Sequence, residues 1–167
     1  MVMQASSGTA AVTLPTDTQI LVTRVFAARK HLVYRVWTTP ELIKQWWAGR
    51  KGVVTSAEVD LRVGGRWRYA MDVTCPDATL LEVGFHGEYR EIIENERLVY
   101  TEVYEGAPDG GGSVVTVTFA EEDGRTTLTL LAEAGTREAR DAIIASGMES
   151  GMQEGMDLLE QIAISLG

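Results

Sequence analysis

The sequence predicts an α+β domain in which an antiparallel sheet of about six to seven strands is covered by a long C-terminal helix. Segments between residues 53 and 133 alternate apolar and polar side chains and are joined by short turns. Strands that follow one another through tight turns pair in antiparallel fashion. The chain ends in a segment with helical spacing from about Arg137 to Leu166. This is the only predicted element long enough to cover the apolar face of such a sheet.

One strand and two short helices are predicted in front of the main run of strands. Residues Thr18 to Phe26 alternate as a strand does, and from Lys30 to Trp37 the apolar residues switch to helical spacing. A second short helix begins at Pro40, because Thr39 can cap it and proline suits the first helical position. Residues 1–16 carry no charged side chain and predict a flexible N-terminal extension. The length of 167 residues then leaves a single domain at residues 17–167.

The remaining strands follow from alternation and turn chemistry. Asp123-Gly124 predicts a tight hairpin turn, and the glycine-rich segment 106–112 predicts a flexible hairpin loop. The predicted strands are Val53–Val59, Arg66–Thr74, Leu81–Ile93, Leu98–Tyr104, Val114–Ala120 and Thr126–Glu133.

The last helix carries three glycine–methionine pairs at intervals of four residues: Gly147-Met148, Gly151-Met152 and Gly155-Met156. Residues four apart lie on one side of a helix, so the glycines form a bare ridge beside a ridge of methionines. Glycine inside a helix costs about 1 kcal/mol relative to alanine, and methionine fills irregular apolar space adaptably. The pattern predicts a helix laid over a hollow, and close helix-on-sheet packing is the alternative.

Composition excludes several classes of function. The net charge is −9, from 15 basic and 24 acidic residues, and no basic stripe suited to a nucleic-acid backbone is present. The single cysteine, Cys75, cannot form an internal disulfide, and no Cys/His cluster has metal-ligand spacing. No apolar run approaches the length of a membrane span. We therefore expect a cytoplasmic protein with no metal, no cofactor, no nucleic-acid partner and no membrane span.

Several motifs, in order along the chain, resemble the START-like or SRPBCC superfamily, and within it the branch named after the heat-shock chaperone ATPase activator. These are "FAARKHLVYRVWTTPELIKQWW", "VDLRVGGRWRY", "GEYREIIENERLVYT", "VTVTF" and "TTLTLLAE". The resemblance covers about Gln19 to Ile162 and implies a helix-grip fold, in which a curved sheet wraps around the last helix. It departs at Ala28, Tyr34 and Met152, where the family usually has proline, tryptophan and tryptophan.

Aromatic and methionine side chains that would face the hollow are the candidate binding residues. Alternation places Trp67, Tyr69 and Met71 on one strand face and Phe85 with Tyr89 on another, and aromatic side chains on such a face are also ordinary core. The adjacent tryptophans Trp46 and Trp47 cannot both face one groove. The full predicted lining is Trp46, Trp67, Tyr69, Met71, Phe85, Tyr89, Tyr100, Met148, Met152 and Met156.

One carboxylate is a candidate proton carrier. Glu102 lies between Tyr100 and Tyr104 at strand spacing, and burial of that face would raise its pKa. The opposite face, with Val99 and Val103, is the more apolar one, so we expect Glu102 to be exposed. His86, Glu88 and Arg90 share a face opposite Phe85 and predict a solvated strip of charge.

The leading hypothesis is therefore a binding protein, a carrier, sensor or sequestering protein for a small hydrophobic or aromatic molecule. An enzyme of the cyclase or hydrolase kind is the second hypothesis and requires an ionisable group inside the cavity, although we assign no catalytic residue. The third is a chaperone-interacting stress-response cofactor, which requires an exposed apolar patch. A homodimer is left open.

Overall fold

The computed structural model describes residues 9–50, 52–106 and 112–167 and has the predicted α+β architecture, an open antiparallel sheet with helices packed against it. The predicted loop at residues 106–112 lies mostly outside the described residues, as does the first half of the predicted extension. The strands are β1 (Ala11–Thr13), β2 (Gln19–Phe26), β3 (Gly52–Val59), β4 (Arg66–Thr74), β5 (Leu80–Ile93), β6 (Arg97–Tyr104), β7 (Gly112–Glu122) and β8 (Arg125–Glu133). The helices are α1 (Lys30–Thr38), α2 (Pro40–Ile43), α3 (Arg137–Ala145) and α4 (Met148–Leu166).

The sheet has eight strands in the order β1-β2-β8-β7-β6-β5-β4-β3, and every neighbouring pair is antiparallel. Strand β1 is the addition to the expected sheet, because Ala11–Thr13 pairs with Leu21–Thr23 inside the segment that composition alone predicts as an extension. Next to it, the backbone N–H of Ala10 donates to Gln153 Oε1 at 3.0 Å and Gln153 Nε2 donates to Ala10 O at 2.8 Å. These bonds tie the segment to α4.

The two edge strands differ in form. Strand β1 has only three residues. Strand β3 has eight, but its register with β4 shifts between Val54, opposite Met71, and Ser56, opposite Ala70. Thr55 therefore forms a bulge in an otherwise regular edge.

The face of the sheet that is covered by the helices, here called the inner face, holds the core. Leu159 and Ala163 of α4 are fully buried together with Val22, Val117 and Leu128 of the central strands. The buried positions of α4 recur at three- and four-residue intervals, the spacing of a helix with one apolar side. Burial of this stripe packs α4 against α1 and into the core on the inner face of the sheet.

An ion-pair cluster lies within this packing. Arg24 of β2 is fully buried on the inner face and its guanidinium lies 4.8 Å from the centroid of Phe26. It donates to Asp157 at 2.8 Å and to Glu160 at 3.2 Å, both on α4. The second oxygen of Glu160 accepts the backbone N–H of Ala27 at 3.0 Å. Polar contacts as well as apolar burial therefore fix α4 to β2.

The C-terminal helical segment is divided in two, where the sequence predicts one continuous helix. Gly147 has a positive φ of 82°, a conformation that glycine adopts without strain, and it ends α3 before α4 begins. The three glycines therefore do not form one ridge. A Cβ at Gly151 would meet nothing within 4 Å, whereas a Cβ at Gly155 would lie 3.0 Å from the carbonyl oxygen of Trp46. Only Gly155 serves close packing.

No helix in residues 9–50, 52–106 and 112–167 is long and apolar enough to cross a membrane.

Candidate functional site

A continuous cluster of aromatic rings covers the inner face of β4, β5 and β6. Strand pairing sets Tyr69 opposite Phe85, Phe85 opposite Tyr104, and Tyr89 opposite Tyr100, so these side chains share one face. Trp47, in the turn after α2, reaches the same face. The aromatic cluster consists of Trp47, Trp67, Tyr69, Phe85, Tyr89, Tyr100 and Tyr104.

Edge-to-face and tilted contacts connect its members. The ring centroid of Trp47 lies 5.5 Å from that of Tyr69 and 5.7 Å from that of Phe85. Trp67 lies 4.7 Å from Tyr69 and 5.4 Å from Tyr100. Phe85 lies 5.2 Å from Tyr104. These separations are the preferred ones for aromatic pairs, so each ring is held in place by its neighbours.

The cluster is closed at one end and open at the other. Trp67, Tyr89 and Tyr100 are buried. Trp47, Tyr69 and Phe85 are half-buried, and Tyr104 is 42% exposed. Solvent therefore reaches the rings from the side of Phe85 and Tyr104, here called the open side.

Gly87 allows the closed end to form. It pairs with Trp67, and the indole Nε1 of Trp67 donates to Thr101 O at 3.2 Å. A Cβ at Gly87 would lie only 1.7 Å from that carbonyl oxygen and 2.7 Å from Nε1. The Thr101 hydroxyl accepts the backbone N–H of Glu88 at 2.9 Å. The space at Gly87 is thus filled by the indole and the β6 backbone.

Glu102 lies on the inner face and is half-buried, so the expectation of an exposed carboxylate is wrong on this point. Its face is set by Leu98 and Tyr100, both buried at two-residue spacing on the same strand. The outer face, with Val99 and Val103, is only partly covered. No local sequence signal fixes this orientation, because it depends on the cross-strand pairing of Tyr100 with Tyr89.

Burial raises the pKa of Glu102 to about 7. Burial also raises the pKa of Tyr69 and Tyr100 well above 10, and the charge of Glu102 adds to both shifts. Among the described residues, the side-chain carboxylate of Glu102 has neither a hydrogen-bond partner nor an ion-pair partner. The open side of the cluster therefore surrounds a carboxylate that is only partly ionised near neutral pH.

The structure separates the predicted lining residues into two groups. Trp46 is buried in the core, where its Nε1 donates to Val36 O at 3.0 Å, and its neighbour Trp47 joins the aromatic cluster. Met156 is also buried. The residues that remain half-buried are Tyr69, Met71, Phe85, Met148 and Met152.

The turn that carries Trp47 also approaches α4. A Cβ at Gly49 would lie 3.1 Å from Glu154 Oε1 and 3.6 Å from Gly151 O. The backbone N–H of Arg50 donates to Glu154 Oε1 at 3.1 Å. These contacts place the N-terminal half of α4, which carries Met152, beside the Trp47 turn.

The outer face of the same strands carries a separate network of charges, and of the predicted strip of His86, Glu88 and Arg90 it includes His86. Arg68 donates through Nε and Nη2 to the two carboxylate oxygens of Glu105, at 2.9 and 2.8 Å. His86 Nδ1 lies 3.0 Å from Glu105 Oε2. Hydrogen bonds from Arg68, more than those from His86, lower the pKa of Glu105 to about 2. No group of three or more metal-ligating side chains occurs in the part of the chain that the structure describes.

Comparison with known proteins gives one family and many related structures. The family described as "Activator of Hsp90 ATPase homolog 1-like protein" matches residues 27–163. A crystal structure of a protein from Rhodobacter sphaeroides is 26% identical, with a TM-score of 0.83, and the match covers 94% of this chain and 99% of the other. A protein from Chromobacterium violaceum is 26% identical over 86% and 96% of the two chains, with a TM-score of 0.72.

A more distant structure, from Mycobacterium smegmatis, is similar in fold. It is 23% identical, has a TM-score of 0.79, and the match covers 94% of this chain and 98% of the other. No curated protein matches the sequence significantly.

Proposed function

Since this chain belongs to the family of activator of Hsp90 ATPase homolog 1-like proteins, we propose that it binds a small hydrophobic or aromatic molecule against its aromatic cluster. It would act as a carrier, a sensor or a sequestering protein. The observation that carries the proposal is the open side of the cluster, where Trp47, Tyr69 and Phe85 are half-buried beside a carboxylate. Apolar surface that remains accessible on a face turned toward the helices is suited to a guest molecule.

The energy of binding would come mainly from burial of apolar surface, at about 25 cal/mol per Å². Because the rings already hold one another in place, little rotamer freedom would be lost on binding. Trp67, Tyr89 and Tyr100 would form the deep wall, and Tyr69 and Phe85 the sides. Met148 and Met152, which are flexible, would adapt to the shape of the guest.

A neutral aromatic probe, N-phenyl-1-naphthylamine, tests the proposal by its fluorescence on binding. The wild-type protein should bind it saturably at one site. Phe85→Ala, which removes a ring between Trp47 and Tyr104, should weaken binding about tenfold. Leu80→Ala is the control, because Leu80 lies on the same strand but is largely exposed, and it should change nothing. Absence of saturable binding, or equal affinities in the two variants, would refute the proposal.

A second candidate is proton transfer by Glu102. Its pKa of about 7 is suited to a general acid or base at neutral pH, and it lies beside a site where a substrate could bind. Conversion of a bound compound by the wild-type protein but not by Glu102→Gln would support this candidate. Unchanged recovery of every compound that binds would remove it.

A chaperone-interacting function is suggested by the name of the family. The specific observation in its favour is the tip of the β4–β5 hairpin, where Leu80 and Leu81 are 67% and 53% exposed. Exposed apolar residues of this kind are typical of interaction surfaces. Stimulation of the ATPase rate of a purified Hsp90 that is lost in Leu80→Ser/Leu81→Ser would support it, and an unchanged rate with the wild-type protein would exclude it.

A further inference from the structure

We infer that the aromatic cluster selects organic ammonium ions, hydrophobic amines whose cationic group lies among the rings with Glu102 as its counter-charge. This inference rests on the proposed function, since it assigns the ligand class of the same site.

The position of Glu102 carries the inference. It lies on β6 between Tyr100 and Tyr104, and the neighbouring strand β5 sets Phe85 opposite Tyr104. Tyr69 follows one strand further on, opposite Phe85. Three strands therefore place aromatic rings around one half-buried carboxylate.

Described cations on a neighbouring strand and on the inner face are paired with other carboxylates. Arg68 lies on the outer face and is bound to Glu105. Arg24, the buried cation of the inner face, is bound to Asp157 and Glu160. Among the ion pairs of the described residues none includes Glu102. A half-buried carboxylate with no cation beside it among the described residues is unfavourable, and a cationic ligand would supply a counter-charge.

The rings add a second source of selectivity. A cation near the face of tryptophan, tyrosine or phenylalanine is attracted by about 0.5–2 kcal/mol, more where water is excluded. The hydroxyl groups of Tyr69 and Tyr100 can accept hydrogen bonds from an ammonium group. An anionic ligand would be repelled by the ring faces and by the carboxylate.

Neutral ligands would gain less from this arrangement. Because burial raises the pKa of Glu102 to about 7, a protonated Glu102 could instead donate a hydrogen bond to a neutral acceptor. A cation requires the ionised form. The two ligand classes therefore have opposite pH dependence at one carboxyl group.

Three probes with one skeleton test the inference: 4-phenylbutylamine, 4-phenylbutan-1-ol and 4-phenylbutyrate, titrated by isothermal calorimetry. The amine carries its charge at pH 8 as a lysine side chain does. We expect it to bind at least about tenfold more tightly than the alcohol, the combined effect of charge and rings. The carboxylate should bind most weakly.

Two variants with the same change in net charge identify the group responsible. Glu102→Gln should remove the preference for the amine while binding of the alcohol is kept. Glu105→Gln, three residues away and on the outer face, should keep the preference. Loss of the preference in both variants, or in neither, would overturn the assignment to Glu102.

The pH dependence provides a separate readout. Between pH 6 and pH 8 the affinity of the wild-type protein for the amine should rise about tenfold, because the ionised fraction of a group with a pKa of about 7 rises by that factor. On β4, β5 and β6 the other titratable groups of this face are the phenols of Tyr69, Tyr89, Tyr100 and Tyr104. The cation of the same face, Arg24 on β2, is paired with Asp157 and Glu160. Burial raises the pKa of Tyr69, Tyr89 and Tyr100 further above this range, and the core-facing residues of α4 near this end, Met152 and Met156, do not titrate.

The failures of the two proposals can be told apart. Equal binding of amine and alcohol, or tighter binding of the alcohol, would overturn the inference and leave the binding function standing. If none of the three compounds binds while N-phenyl-1-naphthylamine does, the inference is likewise overturned and the binding function stands. Failure of that neutral probe as well would refute both.

Discussion

Removing the partners of Arg24 should destabilise the protein more than removing Arg24 itself. Arg24 is fully buried, whereas the side chains of Asp157 and Glu160 are 43% and 16% exposed. The double variant Asp157→Asn/Glu160→Gln keeps a buried guanidinium without a counter-charge. The variant Arg24→Met leaves two carboxylates that can each find another partner, water for Asp157 and the backbone N–H of Ala27 for Glu160.

The expected free energies follow from this asymmetry. Breaking a buried pair so that a charge is left uncompensated costs about 3–5 kcal/mol. Replacing the buried cation by an apolar side chain of similar length is close to neutral, within about 2 kcal/mol. In addition, Nε of Arg24 has no hydrogen-bond partner among the described residues, so methionine removes a buried donor that is not satisfied.

Urea unfolding at pH 7, followed by tryptophan fluorescence, measures the free energy of unfolding of the wild-type protein and of each variant. The triple variant Arg24→Met/Asp157→Asn/Glu160→Gln should regain most of the stability that the double variant loses, because the uncompensated charge is gone. A double variant as stable as Arg24→Met, or a triple variant less stable than the double, would refute the reasoning.

Three further predictions concern single positions. Gly151→Ala should stabilise the protein by about 1 kcal/mol, because its Cβ meets open space and alanine is the better helix former. Gly155→Ala should destabilise it, because its Cβ would lie 3.0 Å from the carbonyl oxygen of Trp46. Thermal unfolding of the two variants measures the difference, and equal shifts in melting temperature would contradict the packing described. Gly87→Ala should cost about 3 kcal/mol or more and shift the fluorescence of the buried indole, because the new Cβ would displace Thr101; a folded variant with unchanged stability and spectrum would contradict this. Replacing Glu102 by glutamine should increase stability at pH 8 by at most about 3 kcal/mol and change it little at pH 4, as measured by denaturant unfolding across that range.

The sign of the last prediction follows from the raised pKa. Between about 4.5 and 7 the folded protein holds a proton on Glu102 that the unfolded chain has lost. Rising pH therefore favours the unfolded chain across this interval. The loss of folding stability caused by ionised Glu102 is complete above pH 7 and absent below pH 4.5. A glutamine at this position does not titrate, so the variant lacks this pH dependence. A gap between wild type and variant that is constant with pH would show that Glu102 is not buried as described.

The architecture could be predicted from local patterns because most elements carry their own signals. Alternation in β4 and β8, proline at the start of α2 and the helical spacing of α4 depend on short stretches of sequence. The division between α3 and α4 could not be predicted in this way. Apolar spacing continues across Gly147, and only its backbone conformation, with φ of 82°, ends the helix.

The orientation of individual side chains was less accessible to sequence reasoning. For Glu102 the more apolar face of β6, with Val99 and Val103, is the outer one, because the inner face is decided by cross-strand neighbours such as Tyr89. For Trp46 and Trp47 the choice depends on how closely α4 approaches, which Gly155 permits at the Trp46 carbonyl. These are long-range contacts, and no local pattern encodes them.

The bulge at Thr55 has a consequence for the behaviour of the protein at high concentration. An open sheet offers unpaired backbone groups at its margins, and another chain can add to a long, flat margin to start a fibre. At one edge of the sheet, β1 is too short for a strand of another chain to pair with it stably. At the other, the extra residue bends the strand and interrupts the regular spacing of its free N–H and C=O groups. A continuous strand there, with Val53 largely exposed, would invite aggregation, so this irregularity protects the fold against self-association.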